Sequence, residues 1–159
     1  SKKLGYNPKI ILAGREINEN IDKFIIKKIY NYKKKNNLKK IKCIFLGVTF
    51  KENCPDFRNS KSVNIIKKLM GDKDIKLQIN DPVVNKDDFQ KESNVNLTDF
   101  SRLIKSNILV ISVNHNSYKK ITDKKWEELL FSSGLIVDIK SLIDINKFNN
   151  KKKLIFNQL

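Results

Sequence analysis

The chain has 159 residues, 40% of them hydrophobic and 31% charged, which predicts one soluble domain with a single sizeable core. No apolar run approaches the roughly 20 residues of a membrane span, and the first residues do not read as a signal peptide. Two cysteines make no disulfide framework, so we expect a reducing, cytoplasmic compartment. The net charge of +16 favours anionic ligands. Nucleic-acid binding is an alternative, but the lysines are scattered along the chain without an aromatic-plus-basic motif, so we expect no nucleic-acid partner. The chain begins without Met, and we interpret it as a piece of a longer protein.

The first half of the chain alternates helical and strand patterns. Apolar residues at helical spacing predict a long helix over 15–36, and a short apolar run predicts a strand over 41–47. After a polar loop, Ser60 is a candidate N-cap of a second helix, which Gly71 ends. A second strand is predicted over 75–80, where an Asp-Pro turn follows.

The second half continues the alternation. Residues 83–98 are polar, which predicts a loop or a short helix. The later patterns predict a short helix over 99–106, a strand over 108–114, a helix around 126–131, a strand over 134–139 and a last strand over 153–156. The fold class is therefore α/β: a Rossmann-like parallel sheet with helices on both faces, preceded by one long helix.

Ligands of such a sheet bind beyond the carboxyl ends of the strands, near the switch in strand order. That rule selects three segments, namely 48–59, 114–119 and 139–142. The first segment carries Lys51 and Arg58, and Arg58 lies just before the predicted helix N-terminus, where anions are favoured. The alternative is a solvated loop with two surface cations. Asp56 is expected to pair with one of these cations and to shape the loop.

Three other residues have the chemistry of functional groups. Asp81 follows the second strand, where a Rossmann sheet often keeps a ribose-binding acid, but without a glycine fingerprint we favour an Asp-Pro turn. His115, the single histidine, stands at a strand end and could transfer protons, although a turn or capping role is favoured. Cys54 has cations nearby that would favour a thiolate, but no general base lies beside it in sequence.

The segment GVTFKENCPDFRNSK (47–61) resembles the signature of the UDP-glucose/GDP-mannose dehydrogenase family. The positions in register are Gly47, Phe50, Lys51, Asp56, Arg58 and Ser60. AGREIN, NDP, VNHNSY and VDIKSL resemble further family segments in the same order. The form FKENCPDFRNS, with DIKSL later, most resembles the branch that oxidises UDP-N-acetylhexosamines for bacterial surface polysaccharides.

The resemblance implies roles for four residues. The family's substrate-contacting Phe-Lys pair falls on Phe50 and Lys51, and a basic substrate-binding residue, often Arg, falls on Lys140. Lysine keeps the charge there but lacks the bidentate fork of arginine. The arginine that reaches the pyrophosphate of the cofactor NAD falls on Arg58.

The resemblance also implies an organisation. Residues 1–38 would end a central dimerisation domain, and 39–159 would form the nucleotide-sugar-binding domain of an NAD-dependent, homodimeric UDP-sugar 6-dehydrogenase. The nucleophilic cysteine and the NAD-binding glycines would lie before Ser1, so we expect no catalytic residue, no metal site and no activity in this chain alone. The helix stripe through Ile17, Ile21, Phe24, Ile25 and Ile29 would then self-associate or lie against the sheet. A free-standing nucleotide-binding module remains an alternative, and the identity of the UDP-sugar stays open.

Overall fold

The computed structural model describes residues 9–144 and 153–156, with side chains over residues 20–144. The helices are α1 (Lys9–Lys35), α2 (Lys61–Met70), α3 (Lys86–Ser93), α4 (Asn116–Lys119) and α5 (Asp123–Glu128). The strands are β1 (Ile41–Leu46), β2 (Ile75–Asn80), β3 (Ser106–Ile111), β4 (Leu130–Asp138) and β5 (Lys153–Phe156). They form one sheet in the order β2-β1-β3-β4-β5, with every neighbouring pair parallel. The predicted parallel α/β sheet is therefore confirmed.

Both faces of the sheet are covered. Side chains alternate along a strand, so Cys43 and Phe45 of β1 pack with α1, α2 and α3 on one face. Ile44 and Leu46 pack with α4 and α5 on the other. The two hydrophobic clusters confirm the predicted arrangement of helices on both faces and explain why the central strands are almost continuously apolar.

The apolar stripe of α1 lies against the sheet. Ile21, Ile25, Ile29 and Tyr32 are buried in the same cluster as β1 and α2, and Phe24 packs against that cluster while partly exposed. The Tyr32 hydroxyl also donates a hydrogen bond to the Ser133 carbonyl at 3.0 Å. Of the two outcomes expected for the stripe, the structure thus shows burial on the sheet. Ile17 falls outside the described side chains, and the division of the chain at residue 38 stays a prediction.

The structure corrects several sequence-based assignments. The long helix begins at Lys9 and not at 15, β3 ends at Ile111 and not at 114, and α5 covers Asp123–Glu128 where the pattern predicted a helix around 126–131. The helix predicted over 99–106 shrinks to a 3₁₀ turn at Phe100–Arg102, because Ser106 already begins β3. Ser106 is buried there because its hydroxyl accepts a hydrogen bond from the Gln78 side-chain amide and donates one to the Ile104 carbonyl. Strand β4 begins at Leu130, before a register shift and three exposed residues that hid its start from the hydrophobic pattern. Residues 116–119, predicted as a loop, form the short helix α4.

Candidate functional site

A cavity of about 600 Å³ opens at the carboxyl edge of the sheet. The loops after β1 and β3 both line it, and these neighbouring strands continue to opposite sides of the sheet, so the cavity lies at the switch in strand order. Its lining residues are Ile21, Ile25, Thr49, Phe50, Lys51, Glu52, Asn59, Ser60, Lys61, Ser62, Ile65, Ser112, Val113, Asn114, Ile139 and Lys140. All three segments selected from the sequence contribute to this lining.

Gly47 begins the loop after β1, at a position where there is no room for a side chain. Its φ of +87° lies in the region that favours glycine. A Cβ at this position would lie 2.5 Å from the Cβ of Val113 and 2.8 Å from its backbone nitrogen. The backbones leaving β1 and β3 therefore approach so closely that only a residue without a side chain fits.

Phe50 and Lys51 stand together at the cavity. The Phe50 ring is exposed, at 61% of its full accessibility, and the Lys51 Nζ lies 5.9 Å from the ring centroid. Two hydrogen bonds close the loop around them: Phe50 N–H donates to the Asp56 carbonyl at 2.8 Å, and the Thr49 hydroxyl donates to the Lys51 carbonyl at 2.9 Å. An exposed aromatic ring beside an ammonium suits a flat or hydroxylated group that carries negative charge.

Lys140 reaches the same cavity from the turn after β4. The buried Asp138 carboxylate forms that turn by accepting the Lys140 N–H at 3.1 Å and the Ile143 N–H at 2.8 Å. Burial raises the pKa of Asp138 above its ordinary value, although these N–H donors oppose the shift. The Asp138 carboxylate is therefore occupied by hydrogen bonds within the turn, and Lys140 is the residue of this turn whose charge reaches the cavity.

The N-terminus of α2 faces the cavity between these loops. Ser60 occupies the predicted N-cap position, but its hydroxyl donates to the Thr49 carbonyl at 3.3 Å instead of capping the helix. The next two residues, Lys61 and Ser62, also line the cavity. The backbone N–H groups at a helix start and the helix dipole make such an end favourable for an anion.

The charges around the cavity are predominantly positive. Lys51, Lys61 and Lys140 line it, against Glu52 as the one lining carboxylate among the described residues. Glu52 is paired with Lys119 on α4 at 3.6 Å, which offsets its charge. A cavity with this balance suits a ligand carrying two or more negative charges.

Arg58 lies outside the cavity on the same loop. Its side chain is 76% exposed, and its Nε and Nη2 donate to the two carboxylate oxygens of Asp56 at 2.9 and 3.0 Å. These hydrogen bonds hold the pKa of Asp56 below its ordinary value. The expected pairing of Asp56 with a cation is thus confirmed. The assignment of Arg58 to NAD stays a prediction.

Asp81 forms the Asp-Pro turn that we favoured. Its Oδ1 accepts N–H groups of Val83 and Val84 at 3.0 and 3.3 Å, and its Oδ2 accepts the Val48 N–H at 2.8 Å. Burial opposes its ionisation, but donors that include His115 and these backbone groups outweigh burial and lower its pKa. Asp81 therefore has no exposed oxygen with which to bind a ribose.

The two cysteines and the histidine do not line the cavity. Cys43 is buried in the core, where burial raises the pKa of its thiol to about 12 and makes it a poor nucleophile. Cys54 is partly buried. His115 is completely buried beneath the loop after β1, so it cannot meet a ligand in the cavity directly.

Sequence reasoning missed polar residues that only the fold brings together. The hydroxyls of Ser62 and Ser112, fifty residues apart in the chain, lie 2.7 Å from each other in the cavity wall. Asn114 also lines the cavity, and its Oδ1 is buried without a hydrogen-bond partner in the described structure. The one available signal was position, since Ser112 and Asn114 follow β3 directly. A bound donor would satisfy the Asn114 oxygen.

Two features typical of a dinucleotide-binding Rossmann sheet are absent from the described residues. The loop after β1 has no GxGxxG sequence, and Asp81 is committed to its turn. Among these residues, no cluster of three or more His, Cys, Asp or Glu side chains could hold a metal ion. No helix in the same part of the chain is long and apolar enough to cross a membrane.

Comparison with known proteins bears directly on this site. The sequence profile described as the UDP-glucose/GDP-mannose dehydrogenase family, UDP binding domain, matches residues 44–145, which include the lining loops after β1, β3 and β4. Protein CapL of Staphylococcus aureus is 31% identical over 156 residues, covering 97% of this chain and 36% of CapL. UDP-N-acetyl-D-glucosamine 6-dehydrogenase of Salmonella typhi is 32% identical over 145 residues, covering 90% of this chain and 34% of that enzyme.

A solved structure supports the fold. The NDP-N-acetyl-D-galactosaminuronic acid dehydrogenase of Methanosarcina mazei Go1 superposes with a TM-score of 0.74 at 17% identity, covering 95% of this chain and 32% of that one. At that identity the similarity shows the fold alone. The chain thus spans about a third of the length of the relatives it matches.

Proposed function

We propose, from the premise that this chain belongs to the UDP-glucose/GDP-mannose dehydrogenase family and carries its UDP-binding domain, that its cavity binds the uridine diphosphate part of a nucleotide sugar. The observation that carries the proposal is the cavity at the switch in strand order, lined by three lysines and one paired carboxylate. A diphosphate needs such a surplus of positive charge.

Three side chains and one helix end have roles in this proposal. Lys51 and Lys140 reach the cavity from different loops and contact the diphosphate from two sides, while the N-terminus of α2 donates backbone N–H groups. The exposed Phe50 ring packs against the sugar or the base. Burying this part of the substrate supplies binding energy that aligns the distant reacting carbon.

The activity of the longer protein follows from the same premise. We infer an NAD-dependent UDP-sugar 6-dehydrogenase whose substrate is a UDP-N-acetylhexosamine and whose product, a UDP-uronic acid, serves surface polysaccharide synthesis. NAD and the nucleophilic cysteine belong to parts of the protein outside this sequence, and Arg58 meets the NAD pyrophosphate at the seam. Residues 1–38 end the central domain through which two subunits form a homodimer, and residues 39–159 form the nucleotide-sugar-binding domain.

Titration calorimetry of the chain with UDP, UMP, ADP and UDP-N-acetylglucosamine tests the binding proposal. We expect UDP and UDP-N-acetylglucosamine to bind, UMP to bind more weakly because it has one phosphate, and ADP to be discriminated against. Lys76→Ala removes an exposed lysine of β2 away from the cavity and is the charge-matched control for Lys51→Ala. Equal binding of all four ligands, or equal loss in both variants, would contradict a specific UDP site.

The net charge of +16 supports one alternative, a nucleic-acid-binding domain. Affinity for an oligonucleotide would then fall steeply and linearly with the logarithm of salt concentration. Oligonucleotide binding with a steep slope, combined with no heat of UDP binding, would favour that alternative.

A further inference from the structure

His115 sits at the junction of three loops at the carboxyl edge of the sheet. It follows β3, is completely buried, and packs edge-on against the ring of Tyr118 at a centroid distance of 5.6 Å. Its Nδ1 lies 2.9 Å from the backbone nitrogen of Asn53, two residues after Lys51. Its Nε2 lies 3.1 Å from Asp81 Oδ2 and 3.2 Å from Thr49 Oγ1. The histidine thus joins the loop that carries Lys51 to the turn after β2.

The partners of the ring assign its tautomer. Asn53 N–H is a donor, so Nδ1 must be the acceptor and carries no proton. The Thr49 hydroxyl already donates its single proton to the Lys51 carbonyl, so toward His115 it can only accept. Both constraints, on opposite sides of the ring, place the proton on Nε2, where the Asp81 carboxylate also accepts it.

The same contacts tie the ligand loop to the rigid sheet. Asn53 adopts a left-handed φ of 57°, and its side-chain oxygen accepts the Asn116 N–H at 2.9 Å, so the loop is held to the start of α4 as well. Asp81, at the other end of the network, holds the Val48 N–H directly after β1. The stretch from Val48 to Asn53, which includes Phe50 and Lys51, is therefore fastened at both ends through one carboxylate and one imidazole.

We propose that His115 is a positioning residue of the ligand site: its Nδ1 holds Asn53 and thereby fixes the Phe50–Lys51 segment against the cavity. His115 does not line the cavity, so it acts through this loop and does not contact the ligand. The proposal rests on the proposed function only in naming UDP as the ligand whose affinity depends on the loop. The fixation of the loop is a property of the chain itself.

Nuclear magnetic resonance of the ¹⁵N-labelled chain tests the hydrogen bond directly. An N–H···N hydrogen bond between Asn53 and His115 Nδ1 should give a scalar coupling between the two nitrogens, and the imidazole shifts should show a proton on Nε2 alone. A proton found on Nδ1, or no coupling across this contact in spectra of sufficient sensitivity, would overturn the proposal.

Two substitutions separate the two sides of the ring. His115→Asn places an amide oxygen near the position of Nδ1 and keeps an acceptor for Asn53. His115→Gln places an amide nitrogen near the position of Nε2 and keeps the donor for Asp81 but leaves Asn53 unpaired. We expect His115→Gln to speed amide exchange over residues 50–54 and to weaken UDP binding, each by about tenfold, whereas His115→Asn should change either by about threefold or less.

Tyr118→Phe is the matched control for a general loss of stability. Its hydroxyl donates to the Asn80 carbonyl and contacts the Asn80 side chain, both at 2.9 Å, and the ring that packs on His115 is retained. This variant should lower the melting temperature yet leave amide exchange over 50–54 and UDP affinity unchanged. If His115→Gln and His115→Asn resemble Tyr118→Phe in both readouts, His115 has only a general structural role.

The two readouts also separate this proposal from the proposed function. If the wild-type chain does not bind UDP but amide exchange follows the expected order of variants, the ligand assignment fails and the positioning role stands. If the chain binds UDP and exchange over 50–54 is unaffected by His115→Gln, the positioning role fails and the ligand assignment stands.

Discussion

Gly47→Ala is the substitution for which the structure gives the most definite magnitude. The residue has a φ of +87°, and holding alanine in left-handed backbone costs about 1–2 kcal/mol. The new Cβ would lie 2.5 Å from the Val113 Cβ, and relieving such overpacking in a well-packed region costs about 1–3 kcal/mol more. We therefore expect a loss of about 2–5 kcal/mol in the free energy of unfolding, from a total that for domains of this kind is about 5–15 kcal/mol.

Urea denaturation followed by tryptophan fluorescence measures this loss, because Trp126 is the single tryptophan and is buried. Gly71→Ala is the control: its φ is −66°, and an added Cβ there would lie 3.3 Å from the Lys68 carbonyl oxygen at its closest. That change should stay within about 1 kcal/mol of the wild type. A Gly47→Ala protein as stable as the Gly71→Ala protein would refute the argument that β1 and β3 approach too closely for a side chain.

Three further predictions concern the site and its charges. Lys51→Ala should weaken UDP binding to the chain by about 1–3 kcal/mol, as measured by calorimetry, while Arg58→Ala should change it much less; an equal loss would show that both cations serve the same ligand. In the full-length enzyme, Arg58→Ala should instead raise the KM for NAD. The chain alone should reduce no NAD in the presence of UDP-sugars, and protein-dependent NADH formation that Cys54→Ser abolishes would disprove this. The pKa of Asp81 is lowered in the folded chain, so its ionised carboxylate stabilises the fold at neutral pH. That contribution to the free energy of unfolding is lost as the pH falls through the lowered pKa. Asp81→Asn should therefore destabilise the chain most at pH 7 and progressively less below about pH 4.

Much of the sheet could be predicted from local patterns of apolar and polar residues. The strands predicted over 75–80 and 153–156 have the bounds that the structure gives, because short apolar runs there are closed by polar residues. The start of β3 could not be predicted from the sequence. Ser106 is polar, and its burial depends on Gln78 of a different strand, which no local window contains.

The candidate site divides in a similar way. Its position followed from topology, since loops at the carboxyl ends of parallel strands must share an edge, and Phe50, Lys51 and Lys140 all reach the cavity there. The Ser62–Ser112 pair and the contacts of His115 could not be predicted, because they join residues 50, 62 and 34 positions apart that meet only after the loops have folded. The resemblance gave Lys51 and Arg58 to different ligands, and the structure finds Lys51 at the cavity and Arg58 paired with Asp56.

The acidic residues of this edge are used within the fold and not at the cavity. Asp81 follows β2 and Asp138 ends β4, yet both are buried and accept backbone N–H groups of their own turns. Asp56 is bound by Arg58, and neither residue lines the cavity. Carboxylates thus fold the loops, and their charges are balanced by donors that the loops themselves supply. Lys51 and Lys140 line the cavity from two different loops, and under the proposed function they are the cations that meet the diphosphate there.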